Sequence, residues 1–122
     1  MSKWTLLLAV SALALTGISA DAENTPKMSK KEVKALIASA KTAADHQKLA
    51  TYYRQEAAVL QEKQQEHEEE AAEYFKNPSS HPVPKYPTLG QHCRDLAANY
   101  KMTAQKAHKL AELHESLAKE AK

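Results

Sequence analysis

The sequence predicts an all-α fold: a long antiparallel helical hairpin led by a short helix, with dimerisation into a four-helix bundle as one way to complete its core. Three observations carry this. Of 122 residues only two are glycine, and Ala, Lys, Glu, Gln and Leu recur throughout; these residues lose least on entering a helix. Apolar residues recur at helical spacing along two long stretches, without the alternation of a strand. Finally, Pro78, Pro82, Pro84 and Pro87 crowd the segment between those stretches, where missing N–H groups and fixed φ angles exclude a helix.

In chain order, Lys3 precedes the apolar run Trp4 to Leu15, which leads to the small-residue pattern Ala20-Asp21-Ala22. Charge, apolar core and small residues in this order predict a signal peptide over 1–22, with a cut after Ala20 as the alternative to Ala22. The run is about a dozen residues, short of the ~20 that cross a bilayer, and no later segment is apolar enough to span. A periplasmic or secreted location is therefore expected, with no membrane span after signal cleavage. Cys93 is the only cysteine and lies far from the cleavage region, so it is not a lipid-modified N-terminus. Residues 23–122 suffice for a single domain.

Helix A, about 30–40, begins at Ser29-Lys30-Lys31-Glu32, a capping box in which hydroxyl and carboxylate satisfy free N–H groups. Its apolar stripe is Val33, Leu36, Ile37 and Ala40. A second box, Thr42-Ala43-Ala44-Asp45, opens helix B, about 43–76, or sits inside one continuous helix. Helix B ends at Asn77-Pro78, because proline keeps the preceding residue out of helical geometry. The connector is 77–88, and helix C, about 89–121, starts from Thr88-Leu89-Gly90-Gln91. Two long helices of matched length joined by one connector predict an antiparallel pair.

Seam positions follow from heptads. On helix B, His46, Tyr53, Leu60, His67 and Tyr74 form the series, flanked by Leu49, Ala50, Ala57 and Ala71. On helix C it is Cys93, Tyr100, Ala107 and His114, flanked by Leu96, Ala97, Ala104, Leu110, Ala111, Leu117 and Ala118. So narrow a seam needs further cover, from helix A folding back or from a homodimer. Acidic and basic residues interleave and leave a net charge of only +2, so no nucleic-acid footprint is present. Lys85 and Tyr86 in the connector are the candidate contacts for a protein partner.

One antiparallel register sets His46 opposite His114 and His67 opposite Cys93 at once, since both pairs of numbers have the same sum. His92 adjoins Cys93, and Glu70 lies one turn beyond His67. His67, Cys93, His92 and Glu70, with His114 and His46 at the far end, are the candidate metal ligands. Imidazole and thiolate donors suit copper or zinc, whereas calcium and magnesium want more oxygens. The competing reading makes the histidines seam residues that pack and hydrogen-bond. Apart from metal binding, Cys93 has three readings: a reactive thiol near the start of helix C beside Arg94, a buried small apolar residue, or an intermolecular disulfide if it lies near a dimer axis.

Several sites are excluded. The residues three before the six histidines are Ala43, Gln64, Pro78, Leu89, Gln105 and Ala111, so the Glu-x-x-His of a di-iron bundle is missing. His-Glu-x-x-His, Cys-x-x-Cys-His and a glycine-rich phosphate loop are also missing, and no serine has a strained turn to present it as a nucleophile. The expectation is a non-enzymatic exported protein that binds copper or zinc. Its alternative is an interaction or stress-adaptor module without ligand, and non-covalent haem between His46 and His114 is a minor variant of the first.

Overall fold

The structure is a computed structural model and describes residues 25–77 and 88–121. The segment expected to be the signal peptide, and nearly all of the proline-rich connector with His81, Lys85 and Tyr86, lie outside the described residues. Three helices follow in order: α1 (Lys30–Ser39), α2 (Ala43–Lys76) and α3 (Leu89–Glu120). No strand occurs among the described residues.

Each helix starts where its cap dictates. Ser29 Oγ accepts from the Glu32 N–H at 3.2 Å, and the Glu32 carboxylate accepts from the Ser29 N–H at 2.7 Å. These bonds hold the Glu32 carboxyl below its usual pKa. The junction of α1 and α2, left open by the sequence, is a true break. Ala40 leaves helical geometry at ψ 125°, and Thr42 and Asp45 complete a second reciprocal box at 3.1 and 3.0 Å. Asp45 also accepts from the Lys41 N–H at 3.1 Å, so one carboxylate gathers two of the donors that the break would leave free. At α3 the box is half formed. Thr88 Oγ1 accepts from the Gln91 N–H at 3.3 Å, but the Gln91 side chain turns forward to donate to Asp95 at 2.9 Å.

The hairpin of α2 and α3 is packed on small residues. Ala50, Ala57 and Ala71 on α2 and Gly90, Cys93, Ala97, Ala104, Ala107 and Ala111 on α3 are buried, with Ala57 and Ala111 at 0% exposure. A side chain no larger than a methyl lets two backbones approach closely along most of their length. Near the connector the fit is tightest: a Cβ added to Gly90 would lie 2.8 Å from the Phe75 ring. The Arg94 guanidinium covers that ring at 4.3 Å from its centroid, a cation–π contact that closes the end of the hairpin.

At the opposite end α1 folds back on the start of α2. Val33, Leu49 and Tyr52 form a small core there, with Met28, Leu36, Ala40 and Tyr53 packed on it. Lys27 pairs with Glu56, and Gln55 donates to the Thr25 carbonyl at 2.8 Å, so the segment before α1 is tied down too. Between the long helices, Arg54 makes a bidentate pair with Glu115 at 2.7 and 3.0 Å.

One expectation is corrected. Leu96, Leu110 and Leu117 were read as flanking the seam, yet they are 44%, 40% and 43% exposed. Alanine and leucine both repeat by heptads on α3, and the close approach of α2 selects the alanines. The leucines are left on an outer row. No helix among the described residues is long and apolar enough to cross a membrane.

Candidate metal centre

His67 and Glu70 stand three residues apart on α2, a spacing that stacks side chains on one face of a helix. Cys93 comes from the first turns of α3, across the alanine seam. One ligand atom from each of these three residues lies within 4.8 Å of the other two. Glu70 is the hub: its Oε2 accepts a hydrogen bond from His67 Nδ1 at 2.7 Å and from the Cys93 thiol at 3.7 Å. The His67 ring is held by Tyr100 of α3, stacked at 5.4 Å between centroids and 11° between planes.

The arrangement resembles a metal site in its protonated form. The Nδ1–H and S–H hydrogens converge on one carboxylate oxygen, occupying the space where a single cation would meet all three donors. Tetrahedral zinc with bonds of about 2.0 to 2.3 Å keeps its ligand atoms roughly 3.3 to 3.8 Å apart. The Sγ to Oε2 separation of 3.7 Å already falls in that range, while the 2.7 Å between Nδ1 and Oε2 would have to lengthen and the His67 nitrogen and Cys93 Sγ lie within 4.8 Å of each other. Three protein donors would leave a fourth position open, whereas structural zinc sites are closed by four protein ligands.

Burial raises the pKa of the Cys93 thiol, and the negative charge of Glu70 and the hydrogen bond to it act in the same direction. The shift is opposite to the one a reactive thiolate needs. Arg94, which was to have lowered the pKa, is instead drawn onto Phe75. A bound cation would reverse the balance, because Glu70 then shares a ligand with the sulfur and no longer repels its charge.

The remaining candidates lie elsewhere. His92 is exposed and outside the three-residue group. His46 and His114 do meet across the hairpin, as the register required, but they form a pair of their own. Their Nδ1 atoms are 3.2 Å apart, and the rings stack at 5.4 Å between centroids and 26° between planes. Tyr53 also stacks on His114, at 5.7 Å between centroids and 7° between planes. One ring must donate and the other accept, so the neutral pair satisfies itself, and rings this close leave no slot for a haem plane. Burial and the neighbouring His46 lower the pKa of His114.

What sequence reasoning missed was the stacking partners Tyr53 and Tyr100. Both sit in the same heptad series as the histidines, so the signal was present and was read as core. Comparison with protein-family models, with curated proteins and with solved structures finds no match.

Proposed function

We propose that the chain is an exported, non-enzymatic protein that binds copper or zinc through His67, Glu70 and Cys93. The observation that carries this reading is the convergence of nitrogen, oxygen and sulfur donors from two helices within 4.8 Å. Export is supported by the order of charge, apolar run and small residues over 1–22. A thiol with an imidazole favours zinc or cuprous copper over harder ions. An open fourth position near the connector suits a protein that accepts and hands on its metal.

The test is titration of the reduced full-length chain with Co²⁺ as a spectroscopic substitute for Zn²⁺. Wild type should develop near-ultraviolet thiolate-to-cobalt absorption that Cys93→Ser abolishes. His67→Ala and Glu70→Gln should each weaken binding by on the order of tenfold or more. If both bind as tightly as wild type, the thiol acts alone and the three-residue site is wrong.

A second reading, an interaction module without ligand that homodimerises or meets a protein partner at the connector, is favoured by one specific feature. The outer leucine row of α3 is more apolar surface than a helix facing only water requires.

A further inference from the structure

We infer that His46 and His114 form a second metal site, at the opposite end of the hairpin from His67, Glu70 and Cys93, and that its ligand is monovalent copper held between two imidazole nitrogens. Each ring comes from a different long helix, and both residues are half-buried. Their Nδ1 atoms stand 3.2 Å apart. The ring centres are 5.4 Å apart, nearly the longest separation that such a contact between ring atoms allows. The two nitrogens therefore lie between the ring centres and face each other, as two ligands to one ion do.

The donor set selects the ion. Among the described residues, no third His, Cys, Asp or Glu joins this pair within ligating distance. The neighbouring acids are engaged: Asp45 accepts from the Lys41 and Thr42 N–H groups at 3.1 and 3.0 Å, and Glu115 holds Arg54 at 2.7 and 3.0 Å. One turn along the helices stand Leu49, Ala50 and Ala111, with no more than 1% of their surface exposed. Zinc takes four ligands, and calcium and magnesium take shells of oxygen. Monovalent copper, with its filled d shell, is satisfied by two nitrogens in line, and imidazole is a donor it accepts. Such nitrogens sit about 3.8 Å apart, so the pair opens by well under one ångström to admit the ion. Tyr53, stacked on His114, fixes the plane in which that ring presents its nitrogen.

Protons balance without loss. In the neutral pair one Nδ1 carries the hydrogen that the other accepts. When copper takes both Nδ1 atoms, that hydrogen is exchanged for one on Nε2 of the same ring, and no net proton leaves the pair. The Cys93 thiol, by contrast, must release its proton to bind a metal. Two neutral donors hold a cation less tightly than a thiolate with a carboxylate, so this site fills second, at copper concentrations that already saturate the thiolate site. His46 lies three heptads from His67 along α2, roughly 30 Å, and neither site can borrow a ligand from the other.

The experiment is anaerobic titration of the full-length Cys93→Ser chain with Cu⁺ against a chromogenic cuprous chelator. This background removes the thiolate site, so the result does not depend on whether that site exists. One Cu⁺ should bind per chain, with an affinity that changes less than about twofold between pH 7 and pH 8 because no net proton is released. Adding His46→Ala or His114→Ala should weaken binding on the order of tenfold or more, while adding His67→Ala should leave it unchanged. X-ray absorption at the copper edge should show two imidazole nitrogens and no sulfur, a readout that does not require the alanine variants to fold. Wild type binds two Cu⁺ if both sites exist and one if only the histidine pair does. Failure of Cys93→Ser to retain Cu⁺, equal retention when either histidine is replaced, or a sulfur ligand in the spectrum, which would assign the ion to a methionine, overturns the proposal.

Discussion

Among single residues, Glu70 decides the chemistry. His67 and Cys93 do not meet directly; they meet through its carboxylate, one oxygen of which accepts from both. The sequence places Glu70 on the right side of the helix by its spacing from His67. Which rotamer it takes depends on Cys93 and on the stacking of His67 against Tyr100, which are contacts between helices and are not written in either helix alone. His114 carries the clearest pH dependence. Its folded pKa lies below its unfolded value, so the unfolded chain binds the proton more readily. Its contribution to stability is whole above the unfolded value of about 6.5 and is lost as pH falls through that value toward the folded one. The carboxyls with lowered pKa, Glu32, Asp45, Glu66 and Glu115, lose their share only at more acid pH, below about 4.5. The melting midpoint of wild type should therefore decline between about pH 7 and pH 5.5, and His114→Asn should flatten that decline. An equal decline in the variant would mean that the His46 and His114 pair is not its source.

The boundaries of the helical elements were largely predictable from the sequence, because each is set by a few local groups. Ser29 with Glu32, Thr42 with Asp45, and Thr88 all cap where the spacing of hydroxyl and acid or amide required. Prolines 78 to 87 separate the two long helices in sequence. The packing face was harder to read. On α3 a heptad series of Ala97, Ala104 and Ala111 runs beside one of Leu96, Leu110 and Leu117, and periodicity alone marks both as apolar. The close approach of α2 decides between them, which is a tertiary effect. It also makes the seam intolerant of volume. Ala57→Leu and Ala104→Leu, at sites with 0% and 2% exposure, should each destabilise the hairpin by about 1–3 kcal/mol through overpacking. Leu96→Ala on the outer row should change monomer stability by less than about 0.5 kcal/mol. Chemical denaturation at low protein concentration measures both. Equal losses at Ala104 and Leu96 would mean that the seam has been assigned to the wrong face.

For the whole molecule, the two ends of the hairpin have different work. At the end distal to the connector, α1 and the His46 and His114 pair add to the core that a two-helix seam lacks, and the exposed Arg54 and Glu115 pair bridges α2 and α3 at the surface. At the connector end there is no third helix among the described residues, and there His67, Glu70 and Cys93 gather. A cation at His67, Glu70 and Cys93 would join α2 to α3 at the end that α1 does not cover, so binding and folding would be coupled. The central claim is tested most directly by a thermal melt of the reduced full-length chain with and without Zn²⁺ or Cu⁺, alongside His67→Ala and Cys93→Ser. A metal at a hundred times its dissociation constant adds about 2.7 kcal/mol when it binds only the folded state, a rise in midpoint on the order of 10 °C for a domain of this size. The account predicts that rise in wild type and its loss in both variants. No shift with either metal, or the same shift in His67→Ala as in wild type, would contradict it.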